Sequence, residues 1–294
     1  MKRIAKLILF VWACFPGAQA KAIAQHNVEG VVVRVDPSHH SIDVSCAAIP
    51  GYMDAMEMTF TARPPSVLSW LKPGVSIRFQ MVNADGKLYA DGIQAIANFE
   101  PEPAEAGGLS SIDRVMHAQT AEEVRSGELR VGELVPDFAL LDQARNTIRL
   151  SALRGRVVAL TFGYSRCPYP QYCLRLSNNL GQLEKRFHAR MERDLVLLTI
   201  AIDPDHDQGD VLSTYAASFK ANPETWHFLT GTVAQIREVG AGFGLRFWTG
   251  DGLITHTLHT VVIDRQGRLA ANLEGNAFTP GQLGDVVESV MNNN

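Results

Sequence analysis

Gly163-Tyr164-Ser165-Arg166-Cys167-Pro168-Tyr169-Pro170-Gln171-Tyr172-Cys173 places two thiols six positions apart, directly after the apolar run Val157–Phe162. That run is short, begins with β-branched residues and ends at a glycine, which predicts a buried strand. After Cys173, the residues Leu176, Leu180, Leu183 and Phe187 recur at helical spacing, so a helix is expected over 174–190. The thiols therefore stand where a strand hands over to a helix N-terminus, a position whose free N–H groups and dipole favour thiolate over thiol. Pro168 and Pro170 hold the residues between them as a stiff loop. Such a pair suits either metal binding or redox chemistry.

Outward from this stretch, the chain alternates strands and helices. Strands are expected at 157–162, 195–202, 260–263 and 269–273, and helices at 174–190, 208–220, 232–241 and 280–291, with a short hairpin and turn over 136–153 ahead of them. Interleaving of this kind predicts an α/β sheet covered on both faces, in a thioredoxin-like order. Residues 27–98 read differently. Val31, Val33 and Val35 alternate, as do Ile42, Val44 and Cys46, and later Val75, Ile77, Phe79 and Met81. Turn signals at Asp36-Pro37-Ser38, Pro50-Gly51, Lys72-Pro73-Gly74 and Asp85-Gly86 separate them. Five short strands and one helical stretch near Ser66–Leu71 predict a small all-β barrel of oligonucleotide-binding type. Between the two units, residues 101–130 form a linker whose start is acidic and rich in Pro and Gly, with a surface helix expected over 112–124.

At 294 residues, with 46% hydrophobic and 20% charged residues, the chain has room for two core-forming domains. Lys2, Arg3 and Lys6 precede an apolar run to Phe15, and Ala18-Gln19-Ala20 is a small-x-small cleavage site, so residues 1–20 read as a signal peptide. A lipoprotein box ending at Cys14 is the less favoured reading, because Trp12 fits it poorly. No stretch is long enough to span a bilayer, so no integral membrane segment is expected. Cleavage after Ala20 would remove three positive charges and no negative ones, moving the formal net charge from −4 to −7. That balance gives no support to nucleic-acid partners. It would leave Cys46, Cys167 and Cys173 in an oxidising compartment, an odd number of thiols.

Met53, Met56 and Met58 crowd three of the eight methionines into six positions, and Met56 and Met58 share one face of a strand. Thioether and thiolate are soft donors that select Cu(I). The same residues also serve as ordinary core, with Cys46 a small buried hydrophobe.

Two resemblances bear on these alternatives. Residues 28–96 resemble the small periplasmic copper-binding subunit of copper efflux systems, the CusF type, through Met56-Glu57-Met58 and the preceding Ile49–Ala55. That family carries a histidine ten or eleven residues before the pair, where this chain has Cys46 or Ser45, and an aromatic cap, where it has Met53. The resemblance implies a copper site of Cys46, Met56 and Met58. Residues 131–291 resemble the SCO/SenC family of copper-handling proteins. The likeness rests on Phe162–Pro168, Ile202–Asp207, Leu229–Thr232, Phe243–Leu245, Thr255-His256 and Val262–Asp264. There two cysteines and a histidine eight residues before the final Asp hold copper, which carries over to Cys167, Cys173 and His256. The family's usual spacer between the cysteines is three residues; this chain has five. The resemblance implies an exported, periplasmic copper chaperone passing Cu(I) to a metalloprotein such as a cytochrome c oxidase subunit, or acting in copper tolerance, with a thiol reductant as second partner.

The rival function is a periplasmic thiol–disulfide oxidoreductase with Cys167 as nucleophile and Cys173 as resolving thiol. Against it stand the lack of a Cys-x-x-Cys and of a proline just before Thr260. His259 is the rival to His256 and is expected to pack or face solvent. Asp203, Asp205 and His206 are expected to shape a turn and cap the following helix.

Overall fold

The computed structural model describes residues 25–84, 86–96, 127–250 and 253–293. The expected signal peptide, Cys14 and the helix over 112–124 lie outside these residues.

Strands β1 (Gln25–Asp36), β2 (Ser41–Cys46), β3 (Met56–Arg63), β4 (Ser76–Ala84) and β5 (Lys87–Ala95) close into a barrel in the order β1-β2-β3-β5-β4. All neighbouring pairs are antiparallel except β3 with β5. A short 3₁₀ turn, Pro65–Ser69, replaces the helical stretch expected there. Val28, Val32, Ile42, Val44, Phe60, Ile77 and Phe79 fill the barrel. Val31 and Val33, whose alternation reads in sequence as the barrel's inner face, belong instead to the core of the other domain. The bulge between Val32 and Arg34 then turns Val35 back toward the barrel interior.

In the second domain a five-stranded sheet runs β10 (Trp226–Leu229), β9 (Leu195–Ala201), β8 (Val157–Gly163), β13 (His259–Ile263) and β14 (Leu269–Glu274). Strands β8, β9 and β10 are parallel, and β13 runs antiparallel to both of its neighbours, β8 and β14. β8 and β9 are buried along their whole length, as their unbroken apolar sequences require when both faces are covered. Helices α1 (Arg175–Arg186), α2 (Gly209–Ser218), α3 (Val233–Ala241) and α4 (Pro280–Asn292) complete the thioredoxin-like arrangement. A hairpin, β6 (Ala139–Leu141) with β7 (Thr147–Arg149), stands in front. Two elements escape the sequence reading: the edge strand β10, and a separate hairpin of β11 (Phe247–Gly250) with β12 (Leu253–His256).

The two domains touch. Val31 and Val33 of β1 join the cluster that contains Leu283, Val286 and Val287 of α4. Ser45 donates from Oγ to Asp285 Oδ2 at 2.5 Å, and Gln282 Nε2 donates to the Ser45 carbonyl at 3.1 Å. Gly74, at φ +95°, lies against the backbone of Asn272, where a Cβ would come within 2.7 Å of the carbonyl oxygen. Only glycine fits that position.

Candidate metal centre

Strand β8 ends in the middle of the sheet and delivers Tyr164–Cys167 to the carboxyl end of the parallel strands, where α/β sheets place their ligands. The loop is anchored by a buried carboxylate. Asp207 accepts from the Ser165 N–H at 2.9 Å through Oδ2 and from the Ser165 hydroxyl through Oδ1. Arg166 pairs with Asp203 at 2.6 Å. The expected capping role of Asp203, Asp205 and His206 is not what these residues do: the α2 N-cap is Gln208, with no side-chain cap bond. Asp203 instead ties down the residue beside Cys167.

Cys173 lies not in the first α-helical turn but in a single π turn, Pro170–Leu174, ahead of α1. The five-residue spacer is absorbed there. A π turn widens the helix start and is common at functional sites. It swings Cys173 inward, where it is 1% exposed, while Cys167 stays half-buried.

Both thiols are free, and Cys167 Sγ lies 3.8 Å from the Tyr169 carbonyl. The neighbouring Cys173 lowers the pKa of Cys167 to about 6, whereas Cys173 is pushed far up by its neighbour Cys167 and by burial. The expected helix-dipole effect therefore does not act on both sulfurs alike: the half-buried one is biased toward thiolate and the buried one toward thiol. His256, at the end of β12, brings Nε2 to 3.7 Å from Cys173 Sγ. Its Nδ1 lies 2.8 Å from the Thr257 carbonyl, which can only accept, so Nδ1 carries the hydrogen. The Nε2 lone pair consequently faces Cys173. Burial lowers the His256 pKa to about 4, keeping the ring neutral. His259 is tied elsewhere, with Nδ1 3.1 Å from Asn272 Oδ1. It packs, as expected of the rival.

The structure brings Cys173 and His256 into contact, with Cys167 on the same loop, yet among the described residues no three His, Cys, Asp or Glu side chains stand grouped around a common metal position. The donors satisfy one another instead. Two sulfurs and an imidazole lone pair at one sheet end nonetheless match what a soft, low-coordinate ion needs.

In the barrel, Cys46 is the direct cross-strand neighbour of Met56, and Val44 that of Met58. Cys46, Met56 and Met58 share the strand faces that hold Val44 and Phe60, so all three lie on the inner side. They differ in depth. Cys46 is fully buried, donates weakly to the Val44 carbonyl at 3.5 Å, and has its pKa raised to about 12 by burial. Met58 is partly buried against the barrel core, and Met56 is 51% exposed at the rim. Met53 packs on the same core, and the exposed Tyr52 stacks on His26 with ring centroids 3.7 Å apart.

Sequence reasoning missed Asp207, Tyr164 and the hairpin that carries His256. The hairpin had a signal: Asp251-Gly252, a preferred two-residue turn, stands between Phe247–Gly250 and Leu253–His256.

Residues 127–292 match the family model described as SCO1/SenC, more than half of the chain. The chain belongs to the SCO1/SenC family. Residues 25–94 match a second model, described as copper binding periplasmic protein CusF. Among curated relatives, the SCO2-like protein RT0576 of Rickettsia typhi is 28% identical over 147 residues, covering 48% of this chain and 68% of the relative. The SCO1 protein homolog of Bacillus subtilis is 23% identical over 164 residues, covering 53% and 80%. Among solved structures, copper-bound ScoI of Bradyrhizobium japonicum is similar at 21% identity and TM-score 0.46, covering 54% of this chain and 99% of that one. Copper-bound yeast Sco1 is similar at 24% identity and TM-score 0.46, covering 54% and 90%. Copper is named in the description of the second model and in those of the two solved structures. Among the described residues of the SCO1/SenC chain, no helix is long and apolar enough to cross a membrane.

Proposed function

We propose that this SCO1/SenC chain is an exported, periplasmic copper chaperone that receives Cu(I) and passes it to a metalloprotein, in cytochrome c oxidase assembly or copper tolerance. One observation carries the reading: a neutral imidazole aims its lone pair at the buried member of a reduced thiol pair, whose outer member is biased toward thiolate. Cys167 is the entry ligand, because it is half-buried and ready to bind a cation. Cys173 and His256 close behind it, with the Cys173 proton released as its sulfur binds. The barrel supplies a second soft site, with Met56 and Met58 near the rim and Cys46 beneath them. The linker over 101–130 keeps the sites on one chain, raising the concentration each presents to the other. A thiol reductant is the further partner required, since a Cys167–Cys173 disulfide could not take up the ion.

The same thiol pair would serve an oxidoreductase, the reading that Cys167 alone favours. The position before Thr260, where such enzymes set a proline beside the thiols, holds the buried His259. The test is a pair of assays on His256→Ala. Loss of copper transfer with disulfide exchange intact supports the chaperone; transfer at the wild-type rate removes His256 from the site.

A further inference from the structure

Tyr164 is 2% exposed and stands at the mouth of the thiol loop. Its hydroxyl donates to the Ile254 carbonyl at 2.9 Å, across to β12. Its ring meets the His256 ring edge-on, with centroids 6.2 Å apart. Strands β11 and β12 pair only with each other among the described strands, outside the five-stranded sheet. The histidine therefore rides on a small hairpin outside the main ladder, joined to β13 through Thr257 and Leu258. Tyr164 thus joins both sides of the junction: the residue belongs to the thiol loop, and its hydroxyl bonds the strand that carries His256.

We infer that Tyr164 is a positioning residue that pins the β11–β12 hairpin to the thiol loop and so holds His256 Nε2 against Cys173. The inference rests on the copper-site reading above for its consequence but not for its geometry. Tyr164 contributes no ligand. It shortens the search His256 must make when a metal arrives, because the hairpin is already docked.

Tyr164→Phe removes the hydroxyl and keeps the buried ring, so the core is undisturbed. In the metal-free protein, amide hydrogen exchange in β11 and β12 should speed up about fivefold to tenfold, the worth of one hydrogen bond, with β8 and β9 unchanged. Cu(I) affinity, read by competition with a chromophoric chelator, should fall by a similar factor. In a His256→Ala background the same substitution should cost nothing more, because it acts through the imidazole. Unchanged exchange in the hairpin, or a loss of affinity that adds fully to that of His256→Ala, overturns the assignment. If the wild type binds no Cu(I) at the thiols, the copper reading fails while the exchange result still judges Tyr164.

Discussion

The chemistry of the thiol pair turns on where one proton sits. The neighbouring Cys173 lowers the pKa of Cys167, while that neighbour relation and burial push Cys173 far up and keep its proton, which faces the His256 Nε2 lone pair. Alkylation of native protein by iodoacetamide, followed by mass spectrometry across pH, should label Cys167 with a midpoint near pH 6, below the usual thiol range of about 8.5. Cys173 should be labelled only after unfolding. A midpoint above pH 8 at Cys167 would show that Cys173 does not lower its pKa. His256 makes a second prediction. Its folded pKa of about 4 lies below the unfolded value of about 6.5, so the unfolded chain binds the extra proton. Stability from this group is complete above pH 6.5 and is lost as pH falls toward 4, by about 3 kcal/mol, measurable as the pH dependence of urea unfolding. The two cysteines are legible in sequence from the hand-over of strand to helix, whereas His256 is reached only through the family resemblance, since the five-residue spacer departs from the usual three. Which sulfur carries the charge is not legible, because it depends on the inward swing of Cys173.

At the level of elements, β8 and α1 follow from an unbroken apolar run and a helical stripe. The join between them does not. The five-residue spacer is taken up by a π turn at Pro170–Leu174, a backbone choice that residue types alone do not reveal. The loop it borders depends on Asp207, whose carboxylate takes both the amide and the hydroxyl of Ser165. Asp207→Ala should leave a half-buried N–H unpaired and lower stability by about 1–3 kcal/mol in urea unfolding. Chelator competition should show weakened Cu(I) binding as well, since Cys167 is two residues from the anchor. Stability within 0.5 kcal/mol of wild type would mean the loop is held by other contacts. The β11–β12 hairpin was readable in principle from Asp251-Gly252. Short apolar runs flanking it are too brief to separate strand from loop without that turn.

For the whole molecule, the two-domain layout shows in the change from period-two alternation to interleaved strands and helices. The contact between the domains does not show, because the alternation of Val31 and Val33 carries no label for which core it faces. The structure assigns them to α4, with Ser45 bonded to Asp285 and Gln282 and with Gly74 against Asn272. Gly74→Ala adds a Cβ that meets the Asn272 carbonyl at 2.7 Å and strains a left-handed backbone. Small-angle X-ray scattering should then report a larger radius of gyration, as the barrel swings on its linker; an unchanged radius would show that the interface absorbs the methyl group. The central claim is that soft donors on each domain bind Cu(I) independently. Anaerobic Cu(I) titration of the reduced chain measures it most directly. The account predicts two ions per wild-type chain, one in Cys167→Ser/Cys173→Ser and one in Met56→Ala/Met58→Ala. Two ions retained in the double-serine variant, or none bound by the wild type, would contradict it.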